Sequence, residues 1–216
     1  MRKLLFTLLL AVSFTSIYAQ SLNDIKNLNE ELKVVLEKDQ SIRSKLVDEG
    51  KRFQGTGDKS AIDSLMKELL AADRSNQVFV ERVLDSIGWP KGLEEDANFA
   101  IFLVIDHAGL GYQKKYLDLV KSQSEARLIS PGDYATLADR VLMKSGQPQQ
   151  YGTQTISING ITSLWPVSDP ENLNQLRAEA GLGPIEDYLF VAESTYGKRV
   201  EWDTTKTVES FRMMFK

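Results

Sequence analysis

The chain has 216 residues, with 26 Lys+Arg against 30 Asp+Glu for a formal net charge of −4, and no cysteine. The lack of thiols excludes a disulfide framework, a thiolate zinc site and a lipid-anchored lipoprotein. A mildly acidic balance of interspersed signs gives no general attraction for nucleic acid or anionic membrane, so neither is expected as a partner.

Arg2 and Lys3 form a short basic start, and Leu4 to Ile17 is an apolar run interrupted only by small or hydroxyl side chains. Tyr18-Ala19-Gln20 then offers a small residue for cleavage after Ala19. This is the layout of a secretory signal peptide, with an apolar core too short for a comfortable membrane span; an uncleaved anchor is the rival reading. Removing residues 1–19 leaves 197 residues with 24 basic against 30 acidic groups, enough for one sizeable core or two small ones. The expectation is a periplasmic or secreted protein with no stable membrane span after cleavage.

Ser21 to about Glu49 reads as one long helix, with apolar steps of three and four at Leu22, Ile25, Leu28, Leu32, Val35, Leu36, Ile42 and Leu46. Asp39 and Arg43 stand four apart on one face and can pair. Gly50 is expected to end the helix, with a loop at 54–58. A second helical region runs from about Lys59 to Ile87, with a break or bend at 73–76 left open. Gly88 is expected as a left-handed cap, and Trp89-Pro90 prevents continuation. Glu94 to Ala108 follows, apolar on every side from Phe99 to Ile105, as in a central helix covered by others. A buried strand competes there, but the Glu-Glu-Asp start favours a helix.

Tyr112 to about Ala126 makes a further amphipathic helix. Ser130-Pro131-Gly132-Asp133 announces the next, with Ser130 as N-cap and Pro131 at the first helical position, running to about Ser145. Asn159-Gly160 between two β-prone runs predicts a type I′ hairpin near 153–165. Asp169-Pro170 begins another helix before Gly181, and Pro184 to about Glu193 suggests a last one. The fold class is mainly α: a single helical domain over 20–194, about six to seven helices around a central apolar helix, with one small β-hairpin. Residues 195–216 form a charged, partly ordered tail.

The stretch Ala138 to Gln154 concentrates polar chemistry in one helix end and the irregular segment after it. Asp139 and Arg140 fall on opposite flanks of the helical wheel, so either matters only if a neighbouring segment folds over it. Gln149, Tyr151 and Gln154 offer donors and acceptors without charge, and Gly152 permits a tight backbone path. Such groups bind amides, sugars or carboxylates, or else pin a loop to a core. His107, the only histidine, closes the most apolar helix. Burial and a helix C-terminus act on its pKa in opposite senses, so it suits either an acid/base role or a satisfied interior bridge. One histidine and no cysteine leave no expected metal site, and phosphate loop, dinucleotide fingerprint and nucleophile elbow are all missing, so no cofactor is expected.

Asp39-Gln40-x-x-Arg43, Asp73-x-x-Asn76, Gly88-Trp89-Pro90, His107, and Asp139-Arg140 leading into Gln149-x-Tyr151-Gly-Thr-Gln154 together resemble an uncharacterised bacterial family, domain of unknown function 6624. The resemblance covers roughly residues 25–190. Its members tend to carry Gln before the histidine, where this chain has Asp106, and a carboxylate can hold an imidazolium as a glutamine would not. The family implies no reaction. It implies a helical domain whose signature polar residues converge.

The leading expectation is a pocket for a small polar or peptide-like ligand around His107, walled by Asp39, Arg43, Asp139, Arg140, Gln149, Tyr151 and Gln154. The alternatives are a cofactor-free hydrolase or transferase using His107 as base, oriented by Asp106 or Asp139, and a structural or interaction module of the cell envelope.

Overall fold

The computed structural model describes residues 2–196 and 199–213, with side chains described for 24–53, 57–194 and 199–213. Within these residues the chain is mainly helical, eight helices with a three-stranded sheet. They form two compact units, one ending at His107 and one beginning at Ala108. No helix among the described residues is long and apolar enough to cross a membrane. The side chains on which the signal-peptide expectation rests lie outside the described set.

The first unit consists of α1 (Arg2–Thr56), α2 (Ser60–Ile87) and α3 (Glu95–His107). Gly50 does not end α1: the helix runs on to Thr56, and the chain turns at Gly57, with φ +69° and its N–H on the Phe53 carbonyl. An interior glycine costs a helix only about 1 kcal/mol, whereas the left-handed turn needs a residue without Cβ. The break left open at 73–76 does not occur either. Ala72 and Asn76 lie on the buried stripe of α2, and Asp73 is tied to Arg43 on α1, so packing keeps the helix continuous. Gly88 has positive φ (+69°) but extended ψ (−154°), so it stops α2 without the left-handed geometry expected.

Ile42 and Leu46 of α1 pack on Leu69 and Ala72 of α2, so the two helices run antiparallel. α3 is a helix, as its acidic start suggests, and residues 97–106 are buried except Phe99, which is 36 % exposed. Its single interior polar residue near the start is satisfied: Asn98 Oδ1 accepts from Trp89 Nε1 (2.7 Å) and its Nδ2 donates to the Leu93 and Glu94 carbonyls. Asn29 of α1 accepts from the Glu94 N–H at the beginning of α3, while Asp39 meets His107 at its end. α1 and α3 are therefore parallel, and α3 delivers the histidine beside α1.

The second unit holds α4 (Leu110–Glu125), α5 (Pro131–Lys144), β1 (Thr155–Ile158), β2 (Ile161–Leu164), α6 (Leu173–Glu179), α7 (Ile185–Tyr196), β3 (Val200–Glu201) and α8 (Val208–Met213). Ser130 caps α5 by accepting from the Asp133 N–H, with Pro131 in the first turn. The hairpin turns at Asn159 (φ +52°) and Gly160 (φ +82°), the two positive angles a type I′ turn requires. Thr155 pairs with Leu164 and Ile158 with Ile161. β3 adds a short parallel partner to β2 from a stretch without strand periodicity. α8 follows, opened by a reciprocal cap between Thr207 and Ser210, and Phe211 is buried with its ring 5.4 Å from Trp165. α6 starts three residues later than the Asp-Pro signal, because Asp169 first accepts from the backbone and side chain of Asn172.

Candidate functional site

Two buried aspartates organise two polar clusters, one in each unit. In the first unit Asp39, 2 % exposed, sits in the C-terminal half of α1. Its carboxylate accepts from Arg43 Nε (3.1 and 3.2 Å), Gln40 Nε2 (2.8 Å) and His107 Nδ1 (3.2 Å). Arg43 reaches onward from Nη2 to Asp73 of α2 (2.9 Å). Burial alone would raise the Asp39 pKa, but the hydrogen bond and charge of His107 and those of Arg43 outweigh it and hold the carboxyl below its ordinary range.

His107 is not sealed in. Its side chain is 18 % exposed, and with Nδ1 on Asp39 its Nε2 makes no hydrogen bond among the described residues. A carboxylate on one ring nitrogen fixes the tautomer and leaves the other as the working atom. Asp39, expected only as a wall, is the carboxylate that meets the histidine ring. Helix spacing alone could not pair a residue of α1 with one of α3. Among the described residues no group of three His, Asp or Glu side chains is arranged to hold a metal ion.

In the second unit Asp139 is fully buried in α5, although periodicity put it on a flank, because the segment after the helix folds back over it. It accepts from the backbone N–H groups of Gln150 (2.7 Å), Tyr151 (3.0 and 3.1 Å) and Thr153 (3.0 Å), and from the Thr153 hydroxyl (3.0 Å). Burial pushes its carboxyl up, against the opposing pull of the Tyr151, Gln150 and Thr153 donors. Gln149 closes the same loop from within, donating to the carbonyls of Gln154 (3.0 Å) and Trp165 (2.7 Å) and accepting from the Gln154 N–H (2.8 Å). The Gln154 side chain donates to Thr136 O and Thr153 Oγ1.

The loop's carbonyls are held by a residue outside the candidate set that the sequence offers. Arg177 of α6, only 3 % exposed, donates to the carbonyls of Tyr151 (2.8 Å), Gly152 (3.3 Å) and Gly183 (2.7 Å), with its guanidinium 5.3 Å from the Tyr188 ring centre. Burial lowers its pKa, partly offset by Tyr188, Asp139 and Glu186. Tyr188 completes the set, its hydroxyl donating to the Thr153 carbonyl (2.7 Å). A signal existed: Arg177 stands four residues after Leu173, on the buried face of a short helix. Gly152 has φ +66°, and a Cβ there would lie 3.2 Å from Ile185 and 3.3 Å from Leu173. Tyr151 itself is half-buried, and burial, then Tyr134 and Asp139, raise its hydroxyl pKa. Arg140 is half-buried on α5.

The sequence-predicted residues thus assemble as two sets. Asp39, Arg43 and His107 meet in the first unit; Asp139, Gln149, Tyr151 and Gln154 meet in the second. The first set presents an oriented imidazole with a free nitrogen, which can bind a polar group or exchange a proton. The second is a loop whose N–H and carbonyl groups are taken up by its own side chains. The model of a family of unknown function, DUF6624, matches residues 26–201, a span that takes in both sets. No curated protein and no solved structure matches the chain.

Proposed function

The chain belongs to this family of unknown function, DUF6624, and from that premise we propose that its first unit recognises a small polar or peptide-like ligand through His107. The observation that carries this reading is the histidine held by Nδ1 on the buried Asp39 carboxylate, with Nε2 uncommitted and the ring partly exposed. The hydrogen bond of Nδ1 to the carboxylate sets the tautomer and leaves Nε2 to face a partner. Arg43, bridging Asp39 and Asp73, stiffens the same corner.

The same geometry supports acid/base work as a second reading, with Nε2 moving the proton and Asp39 as the positioning residue. A hydrolase or transferase so built would show a pH profile set by the Asp39–His107 pair and changed by Asp39→Asn. The expected result for the first reading is a ligand in a panel of metabolites and short peptides that raises the wild-type melting temperature and not that of His107→Ala. Strong destabilisation of His107→Ala with no ligand response in the wild type would overturn both readings in favour of a structural or interaction module of the cell envelope. We place the protein outside the cytoplasm on the basic start, apolar run and Ala19 of its first residues. N-terminal sequencing of protein from its host should begin at Gln20, and an intact Met1 would refute export by cleavage.

A further inference from the structure

Asn76 is the one polar residue on the buried stripe of α2, between Ala72 and Val80. It is 6 % exposed, its Nδ2 is buried with no hydrogen-bond partner, and its amide makes no hydrogen bond among the described residues. A donor left unpaired inside a protein calls for a missing partner. Its level in the three-helix unit follows from the contacts. α1 and α2 are antiparallel, with Ile42 and Leu46 on Leu69 and Ala72, and Arg43 on Asp73. Three residues further along α2, about 4.5 Å at the helical rise, is the level of Asp39 and hence of His107.

Two groups at that level have complementary hydrogen-bonding capacity. The Asn76 amide lacks an acceptor for its N–H, and in the neutral imidazole with its proton on Nδ1 toward Asp39, His107 Nε2 lacks a donor. With the imidazole neutral, the two carboxylates Asp39 and Asp73 stand against the single guanidinium of Arg43, so a further anion would meet net repulsion.

We infer that the site receives an uncharged amide, its carbonyl accepting from Asn76 Nδ2 and its N–H donating to His107 Nε2. The ligand class is therefore a peptide unit or a carboxamide rather than a carboxylate or an amine. This rests on the reading of His107 as the ligand contact and adds what that contact recognises.

The test is NMR titration of the isotope-labelled protein with N-acetylglycine N-methylamide, propionamide, sodium acetate and methylammonium chloride, following the Asn76 side-chain amide and the His107 ring. The amide probes should shift both signals saturably, with the blocked peptide or the simple carboxamide binding tighter according to which source the site serves. Asn76→Leu should weaken that binding at least tenfold while melting no lower than wild type; Asn76→Ala serves if the leucine does not fit. Amide binding unchanged in these variants, or acetate or methylammonium binding in its place, overturns the inference and leaves His107 as a ligand contact. If no probe moves the His107 signals, the amide assignment fails, and the wider panel decides the fate of the first reading.

Discussion

Asp39 and Asp139, the buried aspartates at the centres of the two clusters, differ in what donates to them. Asp39 is held by side chains: a guanidinium, a carboxamide and an imidazole, each able to turn toward another partner. Asp139 is held by three backbone N–H groups and a hydroxyl of one loop, donors that cannot leave without unfolding it. Their proton affinities move in opposite directions, lowered at Asp39 and raised at Asp139. Equal burial therefore does not imply equal purpose. An acid whose neighbours are side chains can answer a ligand, and one whose neighbours are main chain fixes a shape.

That contrast can be broken by substitution. The largest effect is expected for Asp139→Asn, which keeps the size but turns an amino group toward backbone N–H donors. Although burial already costs the charged carboxyl, the orphaned donors should lower stability by about 3 kcal/mol or more, measured by urea unfolding. A loss below about 1 kcal/mol would remove the case for a closed loop. Gly152→Ala comes next, at about 2–3 kcal/mol, from the left-handed backbone and the crowding against Leu173 and Ile185.

Asp39→Asn should cost less at neutral pH, about 1–2 kcal/mol, because Arg43 keeps Asp73. Its signature is the pH dependence. A carboxyl held below its unfolded value of about 3.9 contributes fully above that value and loses its contribution as pH falls through the folded-state pKa. Thermal melts from neutral to strongly acidic pH should thus converge for wild type and variant at the acid end, and parallel curves would contradict the assigned direction. His107→Gln should be the mildest, under about 1 kcal/mol, since glutamine can still donate to Asp39 and the ring is partly exposed. A large loss there would make His107 a structural bridge and erase the distinction between the clusters.

The sequence made much of the fold legible because local rules acted alone there. Ser130-Pro131 opens α5 and Asn159-Gly160 turns the hairpin through backbone constraints that tertiary packing does not override. β3 was hidden because Val200-Glu201 pairs with β2 only through long-range contact, with no alternation to betray it. The sites were half legible for the same reason. Asp39 and Arg43 are four apart on one helix and could be paired from spacing, but the partner that orients His107 lies 68 residues from it. Asp139 read as a flank residue because its burial comes from a loop, and wheels describe only helices.

The short pairing of β3 with β2 has a practical result for anyone trimming the chain. Cutting before Val200 would strip Thr162 and Ser163 of their neighbouring strand and uncover Trp165 by removing Phe211. A naked sheet edge beside a bared indole is a template for self-association, so a shortened version is expected to aggregate while the full chain stays dispersed.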